Sequence, residues 1–196
     1  MTPTERKDAT YNRQRLVEAA GEVFRRDGTD AALDEIARTA GVANATLYRH
    51  FPTRERLLTA VYAQSIDAMC SDALERIESG ADDALLVWLG GVVEHMQANR
   101  GLREGLAGAH ALEPDHTPVE IREWHDRIAA TAEPLFTRAQ RSGLIKSDAR
   151  WTDVLALTAA VGHAAGSDHA AGRRLLDIVL DGLRPAHGTT RRAGPP

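Results

Sequence analysis

Asn44, Thr46, Tyr48, Arg49 and His50 set hydrogen-bonding side chains along one short stretch, and Pro52 and Arg54 follow directly. Leu47 and Phe51, four residues apart, interrupt that set with an inward-facing pair, so the polar residues fall on the free edge of a helix. Donors arranged in this way suit a helix lying in a DNA major groove, with phosphate contacts at its ends. Such a helix needs a support. Upstream, Leu33, Ile36, Ala37 and Ala40 fall three or four apart, and Gly41 stands where a left-handed turn residue belongs. The stretch from Leu33 to Leu57 is therefore expected to form two short amphipathic helices separated by a tight turn, the geometry of a helix-turn-helix.

The segment AGVANATLYRHFPTRE, residues 40–55, resembles the DNA-binding signature of the TetR family of bacterial transcriptional regulators. The resemblance extends upstream through RQRLVEAAGEVFRRDG and, more weakly, downstream through GLIKSDARWTDVLAL and RRLLDIVLDGLRP. It implies that the start of the second helix of the motif reads bases, through Asn44 and Ala45. Thr46, Tyr48, His50 and Arg54 are then expected to hold phosphates, with Arg49 beside them in the same interface.

The chain departs from the family pattern at three positions. Ala32 precedes the first helix of the motif where many relatives carry a hydroxyl residue, which leaves Asp30 as an alternative cap. Ala43 stands where relatives often carry Ser or Thr, so the cap of the reading helix falls to Asn44 or to the backbone alone. Asp34 occupies a position where some relatives carry a basic base-reading residue, and it would repel phosphate or accept from a cytosine amine.

A chain of 196 residues suits one large domain or a small one fused to a medium one, and 43% hydrophobic content is enough to bury a core. The net charge is −4, yet residues 1–50 balance basic against acidic side chains, so the acidic excess lies beyond the motif. A neutral DNA-binding part implies few phosphate contacts and modest non-specific affinity, so specific binding would depend on a dimer engaging two half-sites. The single cysteine, Cys70, excludes an intramolecular disulfide and fits a reducing cytosol. The polar N-terminal stretch reads as no signal peptide, and the longest apolar run, Val154 to Ala165, is too short to span a bilayer. The expected location is the cytoplasm, with no membrane partner.

Helical periodicity recurs without a strand pattern. A first helix is expected from about Asn12 to Asp27, burying Leu16, Ala20, Val23 and Phe24, with Gly28 at its C-cap. After Pro52 and the possible cap Thr53, a fourth helix runs to about Ile77, and a fifth from about Asp82 to Asn99. Leu102, Leu106 and Ala109 suggest a short sixth. Thr117-Pro118-Val119-Glu120 has the form of a capping box that starts a helix reaching Gly143, with a kink expected near Pro134. Two final helices, about Thr152 to Ala165 and Asp168 to Leu183, are rich in Ala and Gly and permit close approach, either to each other or to a second copy.

These elements make an all-α fold of about nine helices. Residues 1–52 are the three-helix DNA-binding domain, with 1–11 disordered; 53–184 form a larger effector-binding and dimerisation domain; 185–196 are a disordered tail. The resemblance implies a homodimer through the last two helices and a ligand cavity among the middle helices. Candidate effector contacts are Trp88, Val92, His95, Met96, Leu106, His110, Trp124, His125 and Phe136, each of which also reads as core or as an ordinary surface histidine. As a set they favour an apolar or aromatic effector. His95, His110, His116 and His125 form no metal-ligand spacing, no cofactor is expected, and Cys70 has no adjacent cation to activate it. An enzyme reading lacks a Ser, His and Asp motif and a phosphate-binding glycine loop. The expected function is a repressor that binds a palindromic operator and is released by a small molecule. The rival is a helix-turn-helix dimer without an effector, its larger domain serving only dimerisation or protein contact.

Overall fold

The computed structural model describes residues 3–102, 104 and 119–185. Its helices are α1 (Pro3–Asp27), α2 (Leu33–Ala40), α3 (Asn44–His50), α4 (Arg54–Glu78), α5 (Ala84–Ala98), α6 (Val119–Arg141), α7 (Trp151–Ala165) and α8 (His169–Leu183), and residues 100–102 are again helical. No strand occurs among the described residues, so the fold is all-α, and no described helix is long and apolar enough to cross a membrane. The expected short sixth helix past residue 104, the residues Thr117 and Pro118 of the capping box and the tail from residue 186 lie outside the described residues.

One correction concerns the start of the chain. Residues 1–11 are expected to be disordered, yet α1 begins at Pro3, nine residues before Asn12. Proline fits the first helical turn, and Glu5, Arg6, Lys7 and Ala9 favour helix, so polar composition there is compatible with helix. Tyr11 is fixed by the Arg15 guanidinium, 5.6 Å above its ring.

Two apolar clusters meet along α4. The first gathers Leu16, Ala20 and Val23 of α1, Ile36 and Ala40 of α2, Leu47 of α3, and Leu57, Val61 and Ile66 of α4. Each fully buried aliphatic side chain there contributes about 1.5–3 kcal/mol against exposure. The second cluster gathers Leu85, Trp88, Leu89 and Val92 of α5 with Leu135 and Phe136 of α6, Val154 of α7 and Leu176 of α8. Met69 and Ile128 pack against both. Thr53 caps α4 by accepting from the Arg56 amide, which sets the start of the helix that joins the two parts. Pro134 lies inside α6 on an exposed turn, where the chain stays helical through it.

The α5–α7–α8 face is packed closely through glycine. A Cβ on Gly162 would stand 2.5 Å from Met96 Cβ, and one on Gly172 would stand 3.0 Å from Gln97 Nε2. Gln97 donates to the Asp168 carbonyl at 3.1 Å, while the Asp168 carboxylate caps α8 by accepting from the Ala171 amide at 2.9 Å. The outer side of the α7–α8 pair is uncovered: Leu157, Leu175 and Ile178 are 56%, 37% and 67% exposed.

Candidate functional site

Helix α3 is held from below and bare above. Leu47 and Phe51 are buried in the first cluster, whereas Tyr48, between them in sequence, is 48% exposed. Asn44, Ala45 and Arg49 are exposed on the same side and Thr46 is half-buried. The turn that delivers α3 is set by Gly41, whose φ of 64° is the left-handed conformation that glycine adopts at least cost. A side chain at Gly41 would also collide with Arg15, whose Nη2 lies 2.7 Å from the Cβ position. Neither short helix has a side-chain cap: Ala32, not Asp30, precedes α2, and Ala43 precedes α3, so both N-termini rely on backbone alone.

The expected contact residues divide. Arg49 sits exposed, and Tyr48 and Thr46 flank it. Asn44 is engaged: its amide nitrogen donates to the Asp34 carboxylate at 2.9 Å, across the turn from α2. Arg54, expected to hold a phosphate, donates through Nη1 to the carbonyls of Thr29 (2.8 Å) and Ala31 (2.6 Å). That guanidinium ties the start of α4 to the loop between α1 and α2. His50 also departs from expectation. Its Nε2 is buried without a hydrogen-bond partner, and burial first, then the charges of Arg49 and Arg13, hold its pKa below the ordinary 6.5. Near pH 7 it therefore adds no positive charge to the interface.

Sequence reasoning missed the part played by α1. Arg13 lies 5.1 Å over the ring of Phe51, the residue that ends α3, and Arg15 is pressed against the turn at Gly41. Both arginines were legible as α1 residues, but their contacts with Phe51 and Gly41 follow only from how α1 packs against α2 and α3.

Among the described residues, the expected effector contacts are spread over several places. Val92 and Phe136 are packed in the second cluster, Met96 presses on Gly162, and His125 is exposed on α6. Leu106 and His110 lie outside the described residues. Trp124 and His95 instead flank Tyr62 of α4, with ring centroids 5.0 Å and 5.2 Å away, so that one aromatic side chain of the connecting helix touches both α5 and α6. A groove of about 870 Å³ lies between α4 and α5, and Trp88 and His95 line it together with Met69, Val87 and the carboxylates of Asp72, Glu75 and Glu94. Trp88 is 2% exposed and its indole nitrogen has no hydrogen-bond partner. Gly90 and Gly91 also line the groove, and a Cβ at Gly90 would meet nothing within 4 Å, so no neighbour requires that glycine. Cys70 is buried and burial pushes its thiol above the ordinary range, which leaves it unreactive. No group of three or more metal-ligating side chains occurs among the described residues.

Residues 16–61 match the family model described as bacterial regulatory proteins, tetR family, and residues 80–185 match the C-terminal domain of SbtR-like transcriptional regulators. The chain is 34% identical to a TetR transcriptional regulator from Streptomyces coelicolor, with a TM-score of 0.73 and coverage of 89% of this chain and 99% of that one. A TetR transcription regulatory protein from Mycobacterium vanbaalenii is 30% identical, with a TM-score of 0.71 and coverage of 92% and 99%. An uncharacterized HTH-type transcriptional regulator of Mycobacterium tuberculosis is 27% identical over 93% of this chain and 90% of its own length. With its helix-turn-helix presented by α1 and α4 and a helical C-terminal domain behind it, the chain belongs to the TetR family of bacterial transcriptional regulators.

Proposed function

We propose that the protein acts as a homodimeric repressor, binding a palindromic operator through α3 and released from it by a small, largely apolar effector. The observation that carries the DNA half of this reading is the bare edge of α3, where Tyr48 and Arg49 stand exposed beside the anchoring Leu47. Asn44 and Ala45 at the start of that helix face base edges, and Thr46, Tyr48 and Arg49 reach phosphates. His50 at the end of α3 and Arg54 at the start of α4 complete the proposed phosphate contacts, with Arg54 also bonded to the carbonyls of Thr29 and Ala31. The uncovered Leu157, Leu175 and Ile178 on α7 and α8 support dimerisation there, since a second copy of the same face would bury them.

Release needs a path from the larger domain to the reading helices. Helix α4 supplies it, because it is continuous from the α3 support to the α4–α5 groove, and Tyr62 couples it to His95 and Trp124. An effector seated on Trp88, Met69 and Val87 would favour one position of α4 by its difference in affinity between two states, and no more. The second reading, dimerisation or protein contact without an effector, is favoured by the filled packing of Val92, Leu89 and Phe136, which leaves the hollow on the surface. Selection of bound sequences from a random duplex pool at a fixed salt concentration tests the first step. An inverted repeat supports the dimeric operator reading, and no enrichment at low or moderate salt overturns it. With the repeat in hand, release by apolar compounds separates the two accounts of the larger domain.

A further inference from the structure

We propose that Asp34 is a positioning residue for base recognition, fixing Asn44 so that the protein reads adenine at one position of each half-site. The inference rests on the operator reading above and concerns the same interface.

The Asp34 carboxylate has only acceptors, so at the 2.9 Å separation seen across the turn it receives the amide nitrogen of Asn44 and cannot receive its oxygen. A free asparagine on a helix edge can present its amide either way round. This one cannot, because turning the amide over would set two oxygens against each other. The carboxamide is left with its oxygen directed away from Asp34 and with one N–H not used by the carboxylate. Adenine alone offers the matching pair in the major groove, the N7 acceptor beside the N6 amine donor. Cytosine offers the amine only. Guanine and thymine would place O6 or O4 against the fixed amide oxygen and near the second oxygen of Asp34, both of them acceptors. The preference order is therefore adenine, then cytosine, with guanine and thymine rejected.

The pairing also accounts for an acidic residue at the edge of a DNA-binding surface. The position gives up attraction to phosphate, and its negative charge acts as a filter against bases that display a carbonyl in the major groove.

The test compares wild type with Asp34→Ala, Asp34→Asn and Asn44→Ala on duplexes carrying the selected repeat, each of the four bases being placed in turn at every half-site position. Wild type should show one position where adenine binds roughly tenfold or more tighter than guanine or thymine. Replacing that adenine by 7-deazaadenine, which lacks the N7 acceptor, should remove most of the preference. Asp34→Asn should keep the adenine preference, since its amide oxygen still accepts from Asn44. Asp34→Ala and Asn44→Ala should flatten it to within about threefold, and the double variant should add nothing to either single change. A structural role for Asp34 would instead lower affinity for all sequences alike. An unchanged preference in Asp34→Ala, or a uniform loss across all bases, overturns the assignment while leaving the operator reading intact. Failure of wild type to select any inverted repeat overturns both.

Discussion

Gly162→Ala is a single-methyl change whose sign can be worked from the packing of α5 on α7. The added Cβ would lie 2.5 Å from Met96 Cβ and 3.1 Å from the Val93 carbonyl oxygen. One of these atoms is backbone and the other is bonded to it, so neither can swing aside and the two helices must part. Alanine in place of glycine returns about 1 kcal/mol of helix propensity. Overpacking a filled interior costs about 1–3 kcal/mol, and a contact this short belongs at the upper end of that range. The net expectation is a destabilisation of about 1–2 kcal/mol. For a chain of this size that lowers the Tm by about 2–8 °C. Gly90→Ala is the matched control. It lies on α5, on the side of the α4–α5 groove, and its Cβ would meet nothing within 4 Å, so it should keep the propensity gain and melt about 2–4 °C higher. Both are measured by calorimetry at one protein concentration, because the Tm of an oligomer moves with concentration. A Gly162→Ala protein as stable as wild type, or both variants shifting in the same direction, would refute the packing argument.

Three further predictions concern the interface, the assembly and pH. Tyr48→Ala should weaken operator binding by about tenfold or more while leaving the molar mass and the far-ultraviolet spectrum unchanged, as loss of the proposed phosphate contact requires. Ile178→Asp places a carboxylate on the uncovered α8 face and should shift sedimentation from dimer to monomer; a dimer of unchanged strength would remove that face from the assembly. The imidazole of His50 has its folded pKa depressed below 6.5, mainly by burial, so the unfolded state binds the extra proton. Its contribution to stability is full above the ordinary value of about 6.5 and is lost as pH falls below it, through the lower folded pKa. The urea midpoint of wild type should therefore fall between pH 7.5 and 5.5 by more than that of His50→Gln, and equal falls would show that His50 does not carry the effect.

The helix-turn-helix was legible because each of its signals is local. Leu33, Ile36, Ala37 and Ala40 set the period, Gly41 the turn, and Leu47 with Phe51 the inward side of α3. The bounds of α4, α5, α7 and α8 followed from the same periodicity to within a few residues, with Thr53 the expected cap of α4. What escaped depended on contacts between elements. Nothing in the spacing of Arg54 says that the carbonyls of Thr29 and Ala31 lie beside it, or that His50 turns Nε2 inward. The bond between Asp34 and Asn44 spans ten residues and exists only because the Gly41 turn folds α2 against α3. The effector set scattered for the same reason: Val92, Met96 and Phe136 have the composition of a pocket wall, and their packing partners make them core or helix contact instead.

The account turns on two copies of the chain reading two halves of one operator. The most direct measurement is the molar mass of the complex formed with a duplex bearing the selected inverted repeat, taken by sedimentation, alongside a duplex with about five base pairs inserted between the half-sites. Two chains on the native duplex, with binding lost when the insertion rotates one half-site to the opposite side of the helix, is the predicted result. A single chain on the repeat, or binding indifferent to the insertion, would contradict it.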